Sequence, residues 1–113
     1  MEEFIISEKK INNVAVLLLE GYLDAHTSGE LEKAFESLLT KENHKIVVNF
    51  EKLSYISSAG LGVFMAYIET MRNNSGDIKL CGMSDKIYNI FDMLGFPVLF
   101  EIVKLEEEAI SKF

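Results

Sequence analysis

The sequence predicts an α/β fold with a mostly parallel sheet. Short apolar segments rich in β-branched residues alternate along the chain with segments whose apolar residues recur at helical spacing. Such alternation is typical of parallel strands joined by right-handed crossovers. The first two predicted strands are separated only by a turn at Asn12-Asn13, which indicates an antiparallel edge strand. We therefore expect a single domain, residues 1–113, with about four to five strands and about four helices.

The N-terminal part is predicted to form two strands and a helix. The first strand is expected near residues 3–9, and the apolar run 14–19 predicts a strand buried on both faces that ends at Gly21. Thr27 and Glu30 fit a capping box, in which each side chain satisfies a backbone N–H at the start of a helix. The buried stripe predicted for this helix consists of Leu31, Ala34, Phe35, Leu38 and Leu39.

The rest of the chain repeats this alternation. The predicted segments, in order, are a strand at 45–50, a helix at 58–72, a strand at 78–81, a helix from Ser84 to Leu94, a strand from Leu99 to Val103 and a terminal helix. Ser84 is a good N-cap, and Gly95 followed by Pro97 is a pattern that ends helices. The stripe predicted on the second helix is Leu61, Phe64, Met65, Ile68 and Met71, and that on the third is Ile87, Ile90, Phe91 and Leu94.

The composition argues against several classes of function. A formal net charge of −7 disfavours binding to nucleic acid or to an anionic membrane, because both are polyanions. The single cysteine, Cys81, excludes an intrachain disulfide, and its apolar neighbours predict a buried, inert thiol. No apolar run approaches the roughly 20 residues that span a bilayer, and the acidic start Met1–Phe4 does not resemble a signal peptide. We therefore expect a cytoplasmic protein.

Three segments are expected to converge beyond the carboxyl ends of the strands, where open parallel sheets place their sites: 21–27, 54–62 and 82–85. In the central segment, the free N–H groups at the start of a helix would stabilise a phosphoryl group on Ser58. Gly60 and Gly62 would let another protein's backbone approach. The alternative is that Ser57 or Ser58 merely caps the helix, which is the commonest use of serine at this place, and the two interpretations are compatible.

A catalytic role for Ser58 is disfavoured. The two histidines, His26 and His44, offer no obvious base, and the segment lacks the glycine two residues before the serine of a nucleophile elbow. No phosphate-binding loop or dinucleotide fingerprint is present. His26 near Asp24 is more typical of a solvated loop than of a metal site. We expect a binding module that uses no cofactor and is not an enzyme.

Two motifs resemble the STAS domain of bacterial anti-sigma factor antagonists. The segment Tyr55–Gly62, Tyr-Ile-Ser-Ser-Ala-Gly-Leu-Gly, carries the resemblance most clearly, and Gly21–Thr27 is similar to that family's Gly-x-Leu-Asp-x-x-Thr turn before the first helix. The strand end Leu80–Gly82, the helix Ile87–Leu94 and Gly95-Phe96 also fit. The similarity covers essentially the whole chain.

This resemblance implies partner switching. The unmodified protein would bind an anti-sigma factor that is itself a serine kinase, a histidine-kinase-like ATPase, and so release a sigma factor. The kinase would then phosphorylate one serine and the complex would dissociate. ATP and Mg²⁺ would belong to the kinase, and a serine phosphatase would reverse the modification. By motif position the phosphoacceptor is Ser58, and the surface offered to the partner comprises Asp24, Thr27, Ser57, Gly60, Leu61 and Gly62.

One feature departs from the family pattern. The best-known members have Asp before the phosphorylated serine and Ser or Thr after it, whereas this chain has Ser57 and Ala59. The missing acid changes the kinase contact and makes Ser57 a rival acceptor. It also motivates an alternative function, a constitutive interaction subunit of a transporter or sensor complex without phosphorylation switching.

Overall fold

The computed structural model describes residues 3–113, so the first two residues of the predicted acidic start lie outside the described part. The elements, in chain order, are β1 (Ile5–Ile11), β2 (Val14–Leu23), α1 (Ser28–Thr40), β3 (Lys45–Ile56), α2 (Ser58–Asn73), β4 (Asp77–Cys81), α3 (Asp85–Met93), α4 (Phe96–Leu99), β5 (Ile102–Val103) and α5 (Glu106–Ser111). The five strands form one sheet in the order β1-β2-β3-β4-β5. β1 is antiparallel to β2 and every other pairing is parallel. The predicted α/β fold is therefore confirmed, with one short helix more than expected.

The main core lies between one face of the sheet and the helices α1 to α4. Four fully buried phenylalanines, contributed by α1, β3, α2 and α3, form a connected cluster: Phe35, Phe50, Phe64 and Phe91. Neighbouring ring centroids in this cluster are 5.6 to 6.3 Å apart. Burying each such side chain stabilises the fold by about 1.5–3 kcal/mol, so the apolar stripes of the helices hold them against the sheet.

The opposite face of the sheet is covered in part by α5. Strand residues that alternate with those of the main core pack here against Ala109, and Cys81 lies among them, fully buried as predicted. Burial, the largest influence, raises the pKa of the Cys81 thiol to about 12. A thiol with such a pKa stays protonated and unreactive at neutral pH.

A polar cluster fixes the start of α5 on this face. The Glu106 carboxylate accepts from Lys9 Nζ at 2.7 Å and from Asn49 Nδ2 at 3.0 Å. Burial opposes the charged form of Glu106, but the hydrogen bonds from Lys9 and Asn49 outweigh it and hold the pKa of the carboxyl below its ordinary value. Asn49 Oδ1 accepts from the backbone N–H of Glu51 at 2.8 Å, so the same amide also holds β3.

The hairpin between β1 and β2 is the predicted two-residue turn. Asn12 and Asn13 both have positive φ, 51° and 68°, as a type I′ turn requires. Because these two residues alone make the turn, β1 reaches Ile11 instead of ending near residue 9.

β2 and β3 both run further than predicted. The pairing of β3 with β4 ends at Asn49 and Cys81, whereas its pairing with β2 continues to Leu23 and Ile56. We call this extension, 20–23 of β2 and 52–56 of β3, the ribbon. Gly21 does not end β2: it has a φ of 92° beside an irregularity in the register with β3, and the pairing continues to Leu23.

The segment after α3 also differs from the prediction. Gly95, with φ 77°, follows α3 as predicted, but Pro97 then lies in the first turn of the short helix α4, where its missing N–H costs nothing. The expected strand from Leu99 to Val103 is consequently reduced to two residues, Ile102 and Val103.

Two residues assigned to buried stripes lie on the surface. Met65 is 44% exposed because the buried face of α2 centres on Phe64 and takes Val63 instead. Leu94 is 57% exposed because α3 has already ended and helical spacing no longer applies. The predicted N-cap of α3 is confirmed, since Ser84 Oγ accepts from the Ile87 N–H at 3.2 Å.

Candidate functional site

The tip of the ribbon brings two of the three predicted segments together. The Leu23 carbonyl accepts the Ser57 N–H at 2.9 Å, which joins the end of β2 to the start of α2. A Cβ placed on Gly60 would lie 2.8 Å from Leu23 Cγ. Only glycine therefore lets the first turn of α2 lie directly on the Leu23 side chain.

Ser57 is the N-cap of α2. Its backbone is extended, with φ −101° and ψ 174°, and its hydroxyl accepts from the Gly60 N–H at 3.5 Å. Its carbonyl accepts the Leu61 N–H at 3.0 Å. Ser57 is half-buried, and its hydroxyl is already engaged in capping the helix.

Ser58 is the first residue of α2 and is exposed. Gly62 is also exposed, and a Cβ placed there would meet no other atom within 4 Å. The capping interpretation therefore applies to Ser57, and Ser58 is the serine that lies exposed on the surface.

Gly60 and Leu61 lie inward. Gly60 is buried, and Leu61, at 5% exposure, belongs to the main core. The resemblance assigned both to the partner surface, whereas the structure shows both residues buried.

Asp24 and Thr27 form a closed turn between β2 and α1. Asp24 Oδ1 accepts from the backbone N–H groups of His26 at 2.9 Å and Thr27 at 3.2 Å. Thr27 Oγ1 accepts from the Asp24 N–H at 2.9 Å and donates to the Tyr22 carbonyl at 2.8 Å. The predicted capping box of Thr27 with Glu30 is wrong, because the threonine hydroxyl is committed to the turn that precedes α1.

The third predicted segment lies at the base of the ribbon rather than at its tip. Gly82, with φ 73°, would place a Cβ 2.7 Å from Asn49 Oδ1 and close to Glu51. Its N–H donates to the Val103 carbonyl at 3.3 Å. This segment therefore connects β4 to the polar cluster under α5.

The structure adds one feature that the sequence did not reveal, an exposed tyrosine pair on the ribbon. Tyr22 and Tyr55 are register partners, with ring centroids 5.7 Å apart and ring planes inclined at 40°. They are 41% and 40% exposed. Two tyrosines so far apart in sequence could be matched only with the register, and the ribbon's register contains irregularities.

Across residues 3–113 there is no cluster of three or more His, Cys, Asp or Glu side chains arranged to hold a metal ion. Within the same residues, no helix is both long and apolar enough to cross a membrane.

Comparison with known proteins identifies the domain family. The family model of the STAS domain matches residues 6–109. An anti-sigma-B factor antagonist of Staphylococcus aureus is 32% identical over 82 residues, which cover 73% of this chain and 76% of that protein. The anti-sigma-B factor antagonist of Listeria monocytogenes is 28% identical over 103 residues, 91% of this chain and 90% of that protein. The structure of the Bacillus cell fate determinant SpoIIAA in its phosphorylated form has a TM-score of 0.74 at 23% identity, covering 97% of this chain and 98% of that chain.

Proposed function

This chain belongs to the STAS domain family, and from that premise we propose that it is an anti-sigma factor antagonist switched by phosphorylation of Ser58. In the unmodified state it binds an anti-sigma factor that is a serine kinase of the histidine-kinase-like ATPase type, and the sigma factor is released. Phosphorylation dissociates the complex and a serine phosphatase restores it. All of these steps belong to the cytoplasm, and ATP and Mg²⁺ are held by the kinase.

The observation that carries this proposal is the division of labour between the two serines. Ser57 caps α2 and is half-buried, whereas Ser58 is exposed at the first position of the helix. A kinase can reach the Ser58 hydroxyl without uncapping the helix. The rival acceptor, Ser57, would have to give up its hydrogen bond to Gly60.

The same geometry explains how a phosphoryl group changes binding and leaves the fold intact. The N-terminal N–H groups of α2 and the positive end of its dipole favour an anion at this position. A group carrying roughly −1.5 to −2 charges there repels carboxylates of a docked protein and has to be desolvated at the interface. A hundredfold loss of affinity requires only about 2.7 kcal/mol, which one such charge can supply.

The rest of the tip supports a rigid platform for docking. The Leu23–Ser57 hydrogen bond, the close approach at Gly60 and the closed Asp24–Thr27 turn join β2, α1 and α2. Because these segments are fixed to each other, a partner would meet a preformed surface and bind at a smaller entropic cost.

The test is phosphorylation by the cognate anti-sigma factor kinase with ATP and Mg²⁺, followed by intact-mass spectrometry. We expect wild type to gain about 80 Da, one phosphoryl group. Ser58→Ala should gain nothing and still bind the kinase. Ser57→Ala is the matched control: it should lose about 1 kcal/mol of stability with its cap and still be phosphorylated.

Labelling of Ser58→Ala but not of Ser57→Ala would move the acceptor to Ser57 and contradict the proposal. If wild type binds the kinase stably and gains no mass, the constitutive-subunit alternative is favoured, and the missing acid before Ser58 would then be its motivating feature.

A further inference from the structure

We propose that the tyrosine pair, Tyr22 and Tyr55, is a subsite for a cationic side chain, arginine or lysine, of the anti-sigma factor. This inference rests on the proposed function, because it names the chemistry by which that partner would bind the ribbon. It gives both tyrosines a role, although the resemblance did not place either of them on the partner surface.

The pair is built as an accessible aromatic surface. Both side chains stand on paired strands at matched register, so their backbones are fixed by the sheet. The two rings contact each other at 5.7 Å, yet about two fifths of each residue remains exposed. An aromatic face carries negative electrostatic potential and attracts a cation placed over it, most strongly when the cation is desolvated at an interface.

The charges around the pair favour a cation over an anion. Glu20 precedes Tyr22 on β2, Glu51 lies at the base of the ribbon on β3, and Asp24 follows on the turn. Lys52, the register partner of Glu20, is the basic residue on these strands nearest in sequence to the pair, and it offsets one of the three carboxylates. The whole chain adds a net charge of −7. A positively charged partner group is therefore attracted both locally and at long range.

The pair also adjoins the Ser58 tip through covalent and hydrogen-bonded connections. The Tyr22 carbonyl accepts the Thr27 hydroxyl at 2.8 Å, which links it to the Asp24–Thr27 turn. Tyr55 precedes Ile56 and Ser57, and Ser57 is bonded to Leu23. A protein docked at Ser58 would thus lie next to the segments that carry the two tyrosines.

Substitutions that distinguish the effect of the aromatic rings from the effect of apolar volume test this inference. The double variant Tyr22→Leu with Tyr55→Leu keeps apolar volume and removes the rings, whereas Tyr22→Phe with Tyr55→Phe keeps the rings. We expect titration calorimetry with the purified anti-sigma factor, loaded with ADP, to show the Phe pair within about twofold of wild type and the Leu pair about tenfold weaker. Tyr88→Leu is the control, since Tyr88 is 38% exposed on α3 and should leave affinity unchanged.

Equal affinity of the Leu and Phe pairs would overturn the inference and leave the proposed function standing. Failure of the wild type to bind the anti-sigma factor would overturn both. Circular dichroism checks that the Leu pair is folded. If it is not folded, the double variant Glu20→Gln with Glu51→Gln replaces it. We expect this variant to bind the anti-sigma factor severalfold more weakly than wild type at low salt, with an affinity that depends less on salt concentration. An affinity equal to that of wild type would reject the cationic subsite.

Discussion

Gly60 and Gly62 are two residues apart on α2 but have different surroundings. Gly60 is buried against Leu23 and Ile56, while Gly62 faces open space. The sequence motif presents them as a pair that clears room for a partner. The structure separates them into one glycine required by packing and one that leaves the surface bare.

Alanine substitutions at these glycines should therefore have opposite effects on stability. A Cβ at Gly60 would lie 2.8 Å from Leu23 Cγ and 3.1 Å from Ile56 Cγ1, so Gly60→Ala should lower the free energy of unfolding by about 1–3 kcal/mol. Gly62→Ala should raise it by up to about 1 kcal/mol, because alanine favours the helix and meets nothing. Urea denaturation of both variants measures the difference, and a stabilised Gly60→Ala would show that α2 does not rest on Leu23.

At the residue scale, the sequence predicts the local role of a side chain better than its contacts with distant segments. Ser84 and Cys81 behave as their types and neighbours suggest, because an N-cap and a buried thiol depend on local context. Thr27 does not, since its hydroxyl can serve either α1 or the preceding turn, and here it accepts from the Asp24 N–H and donates to the Tyr22 carbonyl within the turn. The tyrosine pair could not be foreseen without the irregular register of β2 and β3.

At the scale of elements, the short helix α5 is held by a charged contact as well as by apolar packing. Ala109 buries its side chain against the sheet, and Glu106 accepts hydrogen bonds from Lys9 and Asn49. Because the pKa of Glu106 is lower in the folded protein than its ordinary value of 4.5, the contact stabilises the fold above that pH. This contribution is lost as the pH falls through the folded-state pKa.

Glu106→Gln should therefore be less stable than wild type at pH 7, by about 1 kcal/mol for the weakened hydrogen bonds. The difference should shrink as the pH is lowered below 4.5, because wild type then also carries an uncharged side chain. Denaturant unfolding between pH 3 and 7 measures this trend, with the exposed neighbour Glu107→Gln as control. A difference between Glu106→Gln and wild type that is independent of pH would show that the carboxylate charge contributes nothing.

Element types were largely predictable and element ends were not. Strands and helices follow from apolar periodicity, which each segment carries by itself. The extension of β3 to Ile56 depends on β2 as a partner, and the loss of most of the strand after Leu99 depends on Pro97 favouring a helical turn. In both cases, the end of the strand is determined by a residue or strand that lies outside it.

At the scale of the whole molecule, the proposed switch changes the surface and not the fold. The phosphoryl group would lie at the start of α2, where the helix favours it, while the main core is built from residues elsewhere on the helices and sheet. Affinity and stability should therefore respond differently to the same modification.

Phosphorylated protein should bind the anti-sigma factor at least about 100-fold more weakly than unmodified protein, a change of about 2.7 kcal/mol. Its free energy of unfolding should be equal or up to about 1 kcal/mol higher. Calorimetric binding and thermal unfolding on the same sample check both values. A phosphorylated form destabilised by several kcal/mol would mean that the switch works by loosening α2.

The order of the strands has a consequence for how this molecule is made. Each strand pairs with the strand next to it in the chain, so no pairing waits for a distant segment to be synthesised. The ribbon, the Asp24–Thr27 turn and Ser58 all precede β4. On a ribosome that releases the N-terminus first, the contacts of the ribbon and of the proposed docking surface can begin to form while the last third of the polypeptide is still being translated.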